Sequence, residues 1–338
     1  MRSTRYISIV GCHAEGEVGD IIIGGVRDVP AKTMKDKLLH FREHGEDLRH
    51  LLLNEPRGRL EMSAVLILPP CDPRADAGFI VMASGDWSPM SGSNTICTTT
   101  VMLETGMIPM KEPVTEVRYD TAAGLVKVEA RCEQGKCKTV SIDNVPALVY
   151  GLDLPVDVPG IGTVKVDIAF GGRWYAFVDA SSLGLGVASE HASQIVDLGG
   201  RVKAAAAQVY NPVHPEIAEF HGIDNISVTE PLGDAGDDGR IAKQAMVIKP
   251  GRLDRSSCGT GSSARLAVLH ARGQIKTGET VRFRSMIGTD FVCRVRGETK
   301  VGDINAVLPT IQGRGWITSY KQIVLDPEDP FPTGYRLN

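Results

Sequence analysis

The chain is 338 residues long and close to charge balance, at −4 with its histidines neutral. That length gives room for two domains, each with a core of its own. The balanced charge offers no basic stripe for nucleic acid, and no apolar run approaches the roughly 20 residues of a membrane span.

The opening residues, Met1 to Val10, lack a signal-peptide core and read as a first strand, so the expected compartment is the cytoplasm. Tyr6 to Val10 and Asp20 to Ile23 are apolar, β-rich runs joined by a loop that carries His13, Glu15 and Glu17. Ala31 to Leu53 has a helical period, with Leu38, Leu39, Phe41, Leu48, Leu51 and Leu52 on one face. Met62 to Leu68 and Gly78 to Ala83 read as strands around a proline-rich loop. Ser88 to Thr95 then opens a helix predicted from Ile96 to Thr105 and closed by Gly106.

From Pro113 to Asp143 the pattern predicts a three-strand meander, with Gly124 and Gly135 at the turns. The proline-rich region made of Asn144-Val145-Pro146 and Leu152 to Gly160 marks the predicted boundary between lobes. It divides the chain into an N-terminal lobe of residues 1–155, a C-terminal lobe of residues 156–318, and a final segment 319–338 expected to pack back on the first lobe. Thr163 to Ala169 follows as a strand, Ser189 to His221 as mostly helix, and Ala245 to Ile248 as a strand. Strands at Thr280 to Arg284, Phe291 to Val295 and within Ala306 to Ile317 complete the second lobe.

Seven cysteines, an odd number, are scattered along the chain, which argues against a disulfide framework. Cys132 and Cys137 lack zinc-site spacing and read as reduced residues beside a turn. Cys12, Cys71, Cys97 and Cys293 read as packing residues. Cys258 is different. It sits in Asp254-Arg255-Ser256-Ser257-Cys258-Gly259-Thr260-Gly261, directly before a helix predicted from Ala264 to Arg272 and closed by Gly273. A helix start leaves backbone N–H groups free, attracts an anion, and favours a thiolate. Ser91 and Gly106 are fifteen residues apart, as are Cys258 and Gly273, and each helix opens on a hydroxyl or thiol followed by Gly and then Ser or Thr. This weak repeat predicts two similar halves facing one cleft.

Asp254 with Cys258-Gly259-Thr260-Gly261 resembles the signature of the proline racemase family, which includes hydroxyproline epimerases and trans-3-hydroxy-L-proline dehydratases. Met90-Ser91-Gly92-Ser93 resembles that family's second motif, His13-Ala14-Glu15-Gly16-Glu17 its opening, and Gly171-Gly172-Arg173-Trp174-Tyr175 its middle segment. The resemblance implies an α/β (α+β) fold of two similar lobes, each a mixed or antiparallel sheet wrapped on a central helix, similar to diaminopimelate epimerase. It implies no cofactor and no metal, a small-molecule hydroxyproline substrate, and a monomer or homodimer.

Abstracting an α-proton without a cofactor requires a neutralised carboxylate, a cationic amine and a base held in a dry cleft. The N–H groups of Gly92, Ser93, Gly259 and Thr260 are expected to hold the carboxylate, Asp254 the ring nitrogen, and Cys258 to act as principal acid/base with Ser91 assisting. The family usually carries Cys and His where this chain has Ser91 and Ser93. A hydroxyl is a poorer proton exchanger than a thiol, which disfavours two-sided racemisation and favours one-sided dehydration of trans-3-hydroxy-L-proline. A 4-hydroxyproline 2-epimerase is the alternative, alone or in combination. A cysteine hydrolase wants a partner His that is not evident near Cys258, and a non-catalytic amino-acid binder would keep the helix tips alone. Ser91 as a plain N-cap and Cys258 as a buried structural thiol are the competing structural roles; His214 reads either as reaching the substrate ring or as a loop residue, Trp174 and Tyr175 either as pocket walls or as core, and His13 and His221 are unassigned.

Overall fold

Residues 3–236 and 239–337 are described in a computed structural model; Met1, Arg2 and Asn338, the ends of the predicted first strand and final segment, lie outside the described residues. The chain divides into two units, Met1–Ile142 with Gly313–Asn338, and Asp143–Gln312.

In the first unit, β1 (Arg5–Ala14) and β2 (Glu17–Gly24) form a hairpin turned by Glu15 and Gly16, both at positive φ. His13 and Glu17 therefore lie in strands, not in an open loop. The helical stretch expected as one piece is two: α1 (Met34–His44) and α2 (Glu46–Leu53). It breaks at Gly45, where a Cβ would press on the carbonyl oxygen of Phe41 at 2.6 Å. β3 (Met62–Leu68), β4 (Ala77–Met82) and the short β5 (Trp87–Ser88) lead into α3 (Gly92–Glu104). The meander follows as β6 (Val114–Thr121), β7 (Gly124–Glu133) and β8 (Lys136–Asp143). The last strand, Gly315–Leu325, returns to pair antiparallel with the full length of β1.

α3 packs against β1, β2, β3 and the last strand, and every residue from Gly92 to Leu103 is buried. Such a helix must find partners for most of its polar groups within itself, and Thr100 Oγ1 is the threonine hydroxyl left without one among the described residues. The hydroxyls of Thr95, Thr98, Thr99 and Thr105 each donate to the carbonyl four residues earlier, at 2.7–2.8 Å. Strands approach it closely through glycine: a Cβ at Gly315 would lie 2.5 Å from Thr100 Oγ1, and one at Gly19 2.6 Å from Asn94 Oδ1. A separate apolar core lies between the sheet and α1 and α2.

The second unit contains β9 (Ala147–Val158), β10 (Gly162–Phe170), β11 (Trp174–Asp179), α4 (Ala192–Val209), β12 (Asn225–Thr229), β13 (Gly233–Asp234), β14 (Arg240–Ile248) and β15 (Arg252–Leu253). α5 (Gly259–Ala271), β16 (Thr280–Arg284), β17 (Asp290–Val301) and β18 (Ile304–Gly313) complete it. Of the proline-rich region read as the boundary, Leu152 to Val158 lies inside β9 and Asn144-Val145-Pro146 just precedes it. Beyond Ala147 and Leu148, which pair with β18, β9 pairs with β10 alone, so Pro155 needs no ladder N–H. The division by contacts falls instead after Ile142 and after Gln312. The helix expected over Ser189 to His221 is confined to α4, with an irregular segment after Tyr210.

Strand pairing closes on itself in this unit. β9, β10, β11, β12, β14, β16, β17 and β18 are neighbours in turn, and β18 meets β9 again. α5 packs against β9, β10, β11 and β17, while α4 lies on the other face with Ile195, Val202 and Ala206 in the larger apolar core. From the last strand through β1 to β8, the pairings run antiparallel, antiparallel, parallel, antiparallel, parallel, antiparallel, antiparallel. From β9 to β18 they run in the same order. In each unit a short strand precedes the central helix. The repeat glimpsed at Ser91 and Cys258 therefore extends over both units.

Gly315→Ala should destabilise the protein by about 1–3 kcal/mol, the usual cost of overpacking a well-filled site. Denaturant unfolding of the variant checks this.

Candidate active site

Both central helices begin earlier than their composition suggests. α3 starts at Gly92, not Ile96, and α5 at Gly259, not Ala264. Ser91 and Cys258 are thus the N-cap residues themselves.

Ser91 occupies the N-cap with extended backbone, yet its side chain makes no capping bond. Its Oγ accepts from Asn94 Nδ2 at 3.0 Å and lies 3.3 Å from Ser93 Oγ. Asn94 is held in turn by the Ser63 hydroxyl, 2.9 Å from Asn94 Oδ1. The hydroxyl is therefore positioned by amide and hydroxyl groups, and no side chain of a base touches it among the described residues. The N–H groups of Gly92 and Ser93 have no acceptor among the described residues, as expected of a first helical turn.

Cys258 has φ +62° and ψ +118°, a conformation that costs a non-glycine residue energy and is held by its surroundings. Its N–H donates to Ser256 Oγ at 3.1 Å, and Ser256 donates from both N and Oγ to Asp254 Oδ1 at 2.9 Å. Asp254 N donates to Met246 O at 2.9 Å, tying the loop to β14. Asp254 Oδ2 holds no hydrogen bond among the described residues. The sulfur lies 3.3 Å from the Tyr175 hydroxyl and 3.7 Å from Thr260 Oγ1, and those two oxygens are 2.7 Å apart.

Glycine makes this packing possible. A Cβ at Gly171 would collide with the Thr260 carbonyl oxygen and the Ala264 N–H, and one at Gly261 with the Met246 side chain. Asn144 clamps the same corner, donating to Gly171 O and Ser263 Oγ, both at 2.9 Å.

The thiol does not behave as its helix-start position alone implies. Burial, reinforced by the Asp254 carboxylate, pushes the Cys258 pKa up to about 12. The Tyr175 hydroxyl, the Gly261 N–H and the Thr260 hydroxyl pull the other way without prevailing. Desolvation of a fully enclosed sulfur outweighs the hydrogen bonds that favour its anion. At neutral pH Cys258 therefore carries its proton.

Strand alternation sorts the remaining residues. Tyr175 belongs to the small core with Cys258, Ala169 and Met246, whereas Trp174 and Phe170 belong to the core on the α4 side. His214 packs edge-on against Phe170 at 4.8 Å, on that far side. Its Nδ1 accepts from the N–H groups of Glu216 and Ile217 at 3.2 Å, so it organises its own loop. His221 is exposed in the same loop. His13 stacks on Trp316 at 5.1 Å, and its Nδ1 accepts from Gly16 N. Sequence reasoning missed Asn94, Ser256 and the hydroxyl of Tyr175. The first two stood inside the motif stretches; the third was visible as a residue in phase with Ala169 along adjoining strands.

All seven cysteines are free. Cys132 and Cys137 are buried cross-strand partners in the β7–β8 hairpin. Among the described residues no cluster of His, Cys, Asp and Glu could hold a metal ion, and no helix is long and apolar enough to cross a membrane.

The fold is that of the PhzF and diaminopimelate epimerase-like isomerases. A methylitaconate-delta-isomerase superposes with a TM-score of 0.54 at 15% identity over 95% of each chain. A PhzF-family phenazine biosynthesis protein of Bacillus anthracis does so at 0.59 and 11%, over 95% of this chain and 100% of that one. The family model for proline racemase matches residues 9–336, and the chain belongs to the proline racemase family. It is 41% identical to a hydroxyproline epimerase from Agrobacterium vitis, crystallised with trans-4-hydroxy-L-proline, with a TM-score of 0.89 over 100% of this chain and 96% of that one. It is 40% identical to a probable proline racemase from Agrobacterium radiobacter K84 with bound carbonate, with a TM-score of 0.88 over 98% and 96%.

Alkylation of Cys258 by iodoacetamide, followed by peptide mapping, should rise about tenfold per pH unit from neutrality, with no plateau below about pH 11. A plateau near neutral pH would contradict the raised pKa.

Proposed function

We propose that this enzyme dehydrates trans-3-hydroxy-L-proline to Δ1-pyrroline-2-carboxylate and water, with Cys258 as the catalytic acid/base and Ser91 assisting. The observation that carries this reading is the inequality of the two helix tips. Cys258 sits among hydrogen-bonding groups that can stabilise its anion, while Ser91 Oγ has only an amide and a hydroxyl beside it. A hydroxyl without a neighbouring base is a poor proton acceptor.

In the proposed complex the free N–H groups of Gly92, Ser93, Gly259 and Thr260 hold the substrate carboxylate. The ring nitrogen, cationic, pairs with Asp254 Oδ2. That pairing offsets the carboxylate charge that raises the proton affinity of the sulfur, and so eases loss of the thiol proton. A thiolate formed in so dry a place is a strong base, suited to a weakly acidic carbon.

The α-hydrogen and the 3-hydroxyl of trans-3-hydroxy-L-proline lie on one face of the ring. The sulfur takes the α-proton, and the C–H electron pair becomes the C2–C3 double bond. The C3–O bond breaks, and the proton returns to the departing oxygen to give water. The resulting enamine tautomerises to the imine. One acid/base suffices for every step.

The second reading is 4-hydroxyproline 2-epimerisation, favoured by the likeness to the Agrobacterium vitis enzyme and its bound trans-4-hydroxy-L-proline. Epimerisation needs a proton delivered to the opposite face of Cα, and Ser91, held by Asn94, would relay it.

Separate incubations with trans-3-hydroxy-L-proline and trans-4-hydroxy-L-proline distinguish the two. Borohydride-trappable imine from the first supports dehydration; a change of optical rotation with the second alone supports epimerisation. Cys258→Ala should lower either activity by on the order of a thousandfold, within the usual range for a general acid/base. Ser91→Ala should cost epimerisation about tenfold more than dehydration, because only the former needs a second proton carrier.

A further inference from the structure

We propose that Tyr175 is a positioning residue for the Cys258 sulfur: its hydroxyl, braced by Thr260, donates to the sulfur when the proton leaves and accepts from it when the proton returns. The proposal rests on Cys258 being the acid/base, as argued above.

The geometry points to a switchable chain. Tyr175 OH stands 3.3 Å from the sulfur and 2.7 Å from Thr260 Oγ1. A phenol has one proton and cannot donate in both directions at once. While the sulfur is a thiol, S–H donates to the tyrosine oxygen and the tyrosine O–H donates to Thr260. Once the proton has gone to substrate or solvent, both hydroxyls turn: Thr260 donates to Tyr175, and Tyr175 donates to the thiolate. No bond to carbon or sulfur is made or broken in this reorientation, and no proton is lost from the tyrosine.

Tyr175 is suited to that part. The residue is 1% exposed, so no water competes for the hydroxyl. Burial, with the neighbouring Cys258, raises its pKa well above the ordinary value. It therefore stays a donor and does not ionise in competition with the sulfur. The ring is fixed within the small core of Ala169, Phe177, Met246, Ala264 and Val268. Asp254 faces the sulfur with a charge that opposes the thiolate, and Arg173 acts on the tyrosine in the opposite sense. Tyr175 and Thr260 are then the side chains that favour the anion, beside the Gly261 N–H.

The test compares wild type with Tyr175→Phe, which keeps the ring and removes the hydroxyl. Iodoacetamide alkylation of Cys258, mapped by mass spectrometry, should slow by about tenfold across the accessible pH range, the loss expected for a charge-assisted hydrogen bond. Imine formation from trans-3-hydroxy-L-proline should fall by a similar factor, about tenfold, through kcat with KM little changed. A purely structural role predicts the reverse for alkylation, since loosened packing exposes the sulfur and speeds it. Equal or faster alkylation in Tyr175→Phe overturns the proposal. Should that variant not fold, Thr260→Val provides the second comparison: slower alkylation, by about twofold or more, supports the chain, and an unchanged or faster rate overturns it. Alkylation needs no substrate, so a wild-type enzyme inert toward hydroxyprolines would refute the assigned reaction while leaving this comparison to decide on Tyr175.

Discussion

Everything in each unit follows from enclosing one helix completely in strands. A helix with so little solvent contact has few partners for its polar side chains, and α3 turns the hydroxyls of Thr95, Thr98 and Thr99 back on its own carbonyls, leaving Thr100 Oγ1 as the exception among the described residues. The first turn stands apart, since its N–H groups have no preceding carbonyl to bind. The burial that makes the helix rigid thus also leaves one polar end for chemistry. Close-approach glycines, Gly19 and Gly315 around α3 and Gly171 and Gly261 around α5, let strands come near enough to complete the enclosure.

The same enclosure sets the electrostatics of Cys258. A sulfur at an open helix tip would be acidified by the free N–H groups and the helix dipole. At this tip desolvation and Asp254 dominate, and the thiol holds its proton. The strained backbone at Cys258 is maintained by the Asp254–Ser256 hydrogen bonds on one side and the Tyr175–Thr260 pair on the other. Ser91 has a relaxed, extended backbone and no comparable support beyond Asn94.

Much of this could be read from residues alone. The motif around Cys258, the matching stretch at Ser91 and the strand pattern indicated the family and the two-lobed α+β fold. The errors have physical sources. Gly, Ser and Thr at the starts of α3 and α5 look like loop composition, because back-bonding that makes them good buried-helix residues is invisible in a propensity scale. The Ala31–Leu53 helix breaks at Gly45, where any Cβ would crowd the Phe41 carbonyl and the Trp87 ring. Prolines in β9 suggested a linker, yet Pro155 falls where the strand has a neighbour on one side only. Trp174 sat inside a motif stretch, but strand alternation turns it to the α4 side, and His214 lies in a loop that packs it on Phe170. The raised pKa of Cys258 depends on three-dimensional burial, which no short window of sequence encodes.

The shared order of strand pairing has a consequence for how such a protein diversifies. Because the same wiring is built twice, and each copy places one polar side chain, Ser91 or Cys258, on the cap of a helix and not within the ladder, that side chain is replaceable without re-engineering the scaffold beneath it. One copy here holds a proton-bearing sulfur and its twin an alcohol, so a duplicated frame carries two unlike groups at matching positions.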